Sequence, residues 1–126
     1  MNAKDPCVSE KTNPRMLKVW RETHRACVRS DDPDLTSRQM SVLLSVYMTE
    51  PPHTVRGLAT DLNIAKPVIT RALDTLTKMG LIKRKKDPKD GRSILVQRTV
   101  KGAVFLSELS DRIVKADKSV PADVQT

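Results

Sequence analysis

Aromatic side chains are almost missing from this chain of 126 residues: Trp20, Tyr47 and Phe105 are the only three. Platforms that stack unpaired bases depend on aromatic faces, so recognition of single strands or RNA loops is disfavoured. Cysteine is scarce too. Cys7 and Cys27 have neither zinc-ligand spacing nor the density of a disulfide framework, which suits a reducing compartment. Two histidines, His24 and His53, stand far apart and offer no metal cluster. No nucleophile–base pair or phosphate-cradling glycine loop accompanies them, so the chain is not expected to be an enzyme or to need a cofactor. No apolar run reaches membrane-spanning length, and the first residues lack the apolar core of a signal peptide. A cytoplasmic protein with no membrane partner is expected.

What the chain does have is positive charge, and it is concentrated. The formal net charge is +8. Residues 66–101 carry eleven basic and three acidic side chains, which accounts for the whole excess; the other ninety residues balance. A local field of this kind is the footprint expected for phosphate.

Residues 1–13 are polar and lack periodicity, which suggests a flexible N-terminal arm. Pro14 is placed to open a helix over 15–29, with Met16, Trp20, His24 and Cys27 at helical spacing. His24 and Cys27 on that stripe read as core or interface residues. Thr36 and Gln39 form a capping-box pattern, and Met40, Leu43, Leu44 and Tyr47 supply an apolar stripe behind it. Pro51 and Pro52 stop this helix, His53 falls in a loop and is expected to be exposed, and Thr54 caps the next helix. Asn63 then tolerates the left-handed conformation of a tight turn. Pro67 sets the start of another helix near Ala65, and Gly80 ends it. Two short strands over 81–98 follow, joined by the turn-rich run Asp87 to Arg92. Thr99 caps a last helix over 100–116, and 117–126 reads as a flexible tail.

These elements make a mainly α fold with a small β-hairpin wing, a winged helix-turn-helix within a single domain over 14–116. In such a fold the helix over 65–79 hides one face and offers the other to the major groove. Its outer face carries Lys66, Pro67, Val68, Thr70, Arg71 and Asp74. Arg71 suits guanine O6 and N7 as a bidentate donor, a contact worth roughly 1–3 kcal/mol of discrimination. Thr54 and Arg56 are placed for backbone phosphates at a helix N-terminus. Arg84, Lys86, Lys89 and Arg92 are wing candidates for phosphate or the minor groove. A winged helix that docks on polymerase or another regulator is the competing reading.

The run from Leu35 to Gly102 resembles the MarR-type family of bacterial winged helix-turn-helix regulators. The matching pieces are Leu35–Thr36, Thr54–Val55 with Leu58–Ala59, Ala65–Lys66 with Ile69–Thr70–Arg71, and Leu76 with Gly80–Leu81–Ile82. The most specific piece is the Asp-Pro-x-Asp-x-Arg element from Asp87 to Arg92, followed by Thr99 and Gly102. The resemblance implies a nucleoid-associated transcription regulator, commonly a repressor, that binds near-palindromic double-stranded DNA as a homodimer. It also implies minor-groove entry by Arg92, bracing of Arg92 by Asp90, and in many relatives a small-molecule effector. The chain departs from the pattern at Asn63, where a turn glycine is usual, and at Arg98, where an apolar residue is usual, leaving that strand end more exposed. The last helix, about 17 residues or roughly 25 Å long, is short for the family's interlocked dimer. Either a reduced dimer interface anchored by Trp20, Phe105, Leu109 and Ile113, or a monomer that relies on a partner, is expected.

Overall fold

Caps and breakers divide the chain where the sequence places them. The computed structural model describes residues 13–122, and the expected arm over 1–13 therefore lies almost wholly outside the described residues. Within them run α1 (Pro14–Arg29), α2 (Ser37–Met48), α3 (Val55–Leu62), α4 (Lys66–Lys78), β1 (Ile82–Lys86), β2 (Ile94–Arg98) and α5 (Val100–Ser119). The mainly helical winged helix-turn-helix architecture is the expected one. No helix among the described residues is long and apolar enough to cross a membrane.

The residues form two compact units, Asp34–Ser107 and the segments up to Pro33 and from Glu108 onward. In the first, Val42, Leu43 and Val46 of α2 meet Leu58 and Ala59 of α3 and Ile69, Ala72, Leu73 and Leu76 of α4. Leu81, Ile82 and Val96 complete this core from the hairpin. Each fully buried leucine or isoleucine contributes about 1.5–3 kcal/mol. The Thr36 capping box is present, with Thr36 Oγ1 accepting from Gln39 N–H and Gln39 Oε1 accepting from Thr36 N–H. The buried stripe of α2 differs from the expected one. Leu44 is 37 % exposed, while Val42 and Val46 are fully buried. This helix is apolar enough to offer two overlapping stripes, and packing against α4 selects the second.

The two ends of the hairpin meet at Tyr47. Its hydroxyl donates to Leu81 O (2.6 Å) and accepts from Thr99 N–H (2.9 Å). Thr99 Oγ1 donates to Gly80 O (2.7 Å) and accepts from Gly102 N–H (3.0 Å), so Thr99 caps α5 as expected. Gly102 is required by contact: a Cβ there would overlap Tyr47 Oη and the Leu81 carbonyl. Gly80 is required by conformation, with φ of +77° just past the end of α4.

Strands β1 and β2 pair antiparallel, with Ile82 opposite Arg98, Arg84 opposite Val96 and Lys86 opposite Ile94. On its other edge β2 meets the α2–α3 loop, where Val96 N–H donates to His53 O (2.8 Å). His53 is 8 % exposed, not solvent-facing as its loop position suggested. Its ring Nε2 lies 3.2 Å from Thr49 O, so a loop histidine here closes the seam between helix and wing. Arg98 is exposed, as expected of that strand end. Its guanidinium donates to Val46 O (2.9 Å) and Thr49 O (3.0 Å), carbonyls at the C-terminal end of α2 that favour a cation.

In the second unit α1 is capped by Asn13, whose Oδ1 accepts from Met16 N–H (3.1 Å), with Pro14 in the first turn. Arg15 binds Asp117 Oδ1 (2.7 Å), Asp117 O (2.9 Å) and Val120 O (3.2 Å). Arg112 lies 2.8 Å from Asp32 Oδ2, and this hydrogen-bonding carboxylate raises the guanidinium pKa still further. These contacts correct the expected tail: α5 continues to Ser119, and Val120 is buried. Residues 123–126 lie outside the described residues. Thr23 and Ala116 are buried here, whereas Met16, Leu17, Val28, Ile113 and Val114 stay exposed. Trp20 is 56 % exposed and stacks edge-on against His24 at 4.2 Å.

Candidate nucleic-acid interface

A helix-turn-helix presents a helix only if the turn before it is fixed, and Asn63 fixes this one. It adopts φ 52° and ψ 48°, the left-handed conformation expected of it, and Ile64 N–H returns to Ala59 O (3.0 Å). Thr54 caps α3, its Oγ1 accepting from Gly57 N–H (3.0 Å). The hydroxyl proton of Thr54 has no acceptor among the described residues, and Arg56, in the first turn of the same helix, is exposed. Ala65 starts α4 without a side-chain cap, and Pro67 occupies the first turn.

With Ile69, Ala72, Leu73 and Leu76 buried, the opposite face of α4 exposes Lys66, Pro67, Thr70 and Arg71. Val68 is half-buried and belongs partly to the flank of the core. Arg71 has no acidic partner among the described residues. It is a free planar donor on a helix face, the form in which arginine reads a guanine edge.

The wing's tip is built by its own carboxylates. Asp87 Oδ1 accepts from Lys89 N–H (2.9 Å), and Asp87 N–H donates to Ser93 O (2.9 Å). Asp90 accepts from Arg92 N–H (3.1 Å) and from Ser93 Oγ (3.1 Å). The aspartates of the Asp-Pro-x-Asp-x-Arg element therefore hold the turn, and they leave the Lys89 and Arg92 side chains exposed without an ion pair among the described residues. Asp90 braces Arg92 through its backbone and not through its guanidinium. Lys86 is likewise exposed at the outer end of β1.

Arg84 is placed differently. Its Nη1 lies 2.6 Å from Asp74 Oδ1, so the cation expected on phosphate is held by an acid of α4. Nothing in the local sequence marks this pair; their separation of ten residues spans a helix end and a turn. A recess of about 220 Å³ beside the α2–α3 loop has Glu50, His53, Thr54 and Asp61 in its lining. The residues expected to anchor a dimer separate into two kinds. Trp20 and Ile113 are exposed and Leu109 is half-buried, whereas Phe105 packs against the core of the first unit.

Residues 35–94 match the model of the MarR family. Among solved structures, the chain is similar to the transcriptional repressor CouR bound to a 23-mer DNA duplex. The two are 29 % identical, 84 % of this chain and 72 % of that one are covered, and the TM-score is 0.64. It is similar in fold to the transcriptional regulator Tm0710 from Thermotoga maritima, at 22 % identity, 88 % and 75 % coverage and a TM-score of 0.70. An S. aureus MepR mutant bound to an oligodeoxyribonucleotide shares the fold at 18 % identity, 89 % and 77 % coverage and a TM-score of 0.69. Tm0710 and CouR are thus both transcriptional regulators.

Proposed function

We propose that this chain, whose residues 35–94 match the MarR family model, is a member of that family and a sequence-specific double-stranded DNA-binding regulator of transcription, acting as a repressor in the cytoplasm. The observation that carries the reading is the pairing of two exposed surfaces whose cations make no ion pair among the described residues. One is the face of α4 bearing Lys66, Thr70 and Arg71; the other is the hairpin tip bearing Lys89 and Arg92. In this reading α4 enters the major groove with Arg71 on a base edge and Thr70 on a base edge or phosphate. Arg92 enters the minor groove, and Thr54, Arg56, Lys86 and Lys89 hold phosphates. The DNA-bound CouR structure, at 29 % identity, supports duplex DNA as the partner.

Two copies would read a two-fold site. Exposed Met16, Leu17 and Trp20 on α1, with Ile113 and Val114 on α5, are the apolar surface available for that pairing. The mass in solution, with and without a duplex, checks it. The decisive test of the base-reading role is selection of binding sites from a random duplex pool by the wild type and by Arg71→Ala. The variant is expected to lose about 1–3 kcal/mol of discrimination at one base pair per half-site. An unchanged preference would remove α4 from the major groove.

A further inference from the structure

Arg84 grows from the inner face of the hairpin. Its register partner Val96 is buried, and Ile82, two residues earlier on the same face, is buried as well. The side chain therefore leaves β1 on the side that packs against the domain, while Lys83 and Lys85 leave on the other. Its guanidinium ends 2.6 Å from Asp74, with side-chain exposures of 32 % and 49 %. Asp74 lies four residues after Thr70 and three after Arg71, so it follows them along the outer stripe of α4. A bare carboxylate there would repel phosphate and would also attract Arg71 at the favourable i, i+3 spacing.

We propose that Arg84 is a positioning residue and not a phosphate contact. It struts the wing against the recognition helix through Asp74, and by occupying that carboxylate it leaves Arg71 free. The proposal deepens the DNA-binding reading and rests on it. A strut of this kind makes the hairpin and α4 arrive at the duplex as one body. A phosphate-bound Arg84 would instead leave Asp74 uncompensated beside the groove.

The test uses the full chain, a mixed-sequence duplex of about two helical turns, and four proteins: Arg84→Met, Asp74→Asn, the two combined, and the exchanged pair Asp74→Arg with Arg84→Asp. Each single change is expected to weaken the duplex about fivefold, the combination no further, and the exchanged pair to return within about twofold of wild type. Asp74→Asn is the sharpest arm, since it makes the protein more positive and is still expected to bind less well. Tighter binding by Asp74→Asn, or an exchanged pair as weak as Arg84→Met, would overturn the strut. Amide exchange without DNA is the independent arm: hairpin protection over residues 83–97 falls equally in both single variants, and unchanged protection also overturns the proposal. If the wild type fails to bind the duplex at low salt, the DNA reading falls and the exchange arm alone decides the strut.

Discussion

The base and the tip of the hairpin each carry an arginine, Arg98 and Arg92, and do opposite things with it. At the base, Arg98 donates to two carbonyls of α2, and Tyr47, Thr99 and Gly102 interlock around Leu81 O. At the tip, Asp87 and Asp90 bind backbone N–H groups and so leave Lys89 and Arg92 without an ion pair among the described residues. Charge composition alone cannot separate these roles, because every arginine adds the same unit to the +8. What separates them is the partner. A cation on a carbonyl or carboxylate of its own domain is part of the scaffold, and one held away from such groups is available to an external anion.

The most severe way to break the base is Gly102→Ala. The added methyl meets a backbone carbonyl and a phenolic hydroxyl already fixed by hydrogen bonds, so neither can yield cheaply. Loss of about 3 kcal/mol or more is expected, near the upper end for overpacking. Urea denaturation measures it, and a loss below about 1 kcal/mol would mean that the α5 start can shift away from Tyr47.

The same distinction explains how much could be read before the fold was known. Helix limits were legible because their causes are local: the Thr36 capping box, Thr54, Asn63 in the left-handed region, Pro67 and Gly80. The outer face of α4 was legible because its apolar face is unambiguous. The burial of His53 was not, since it depends on a bond from Val96 more than forty residues away in the chain. Nor was the assignment of Arg84, which requires the strand register and the facing helix together. The stripe of α2 was legible at Leu43 and Tyr47 but not at Leu44, because an apolar helix satisfies two phases of the same period and only packing against α4 selects between them. α5 ran past its expected end because its last contacts, from Arg15, come from the opposite end of the chain.

The smallest changes separate base from tip most cleanly. Arg98→Met removes two charge-assisted bonds at a helix C-terminus in a partly solvated setting, which is expected to cost about 1 kcal/mol of stability. It should leave the salt dependence of duplex binding unchanged, since no phosphate contact is lost. Arg92→Met should do the reverse. Its side chain makes no ion pair among the described residues, and Asp90 holds the turn through the backbone, so the denaturation midpoint is expected to stay within about 0.5 kcal/mol of wild type. The slope of log affinity against log salt should become shallower by about 0.9 for each copy bound, because a cation in the minor groove displaces a condensed counterion as one on a phosphate does. Should Arg98→Met flatten that slope instead, its guanidinium would have to leave Val46 and Thr49 for DNA, and the base of the hairpin would belong to the reading surface rather than to the scaffold beneath it.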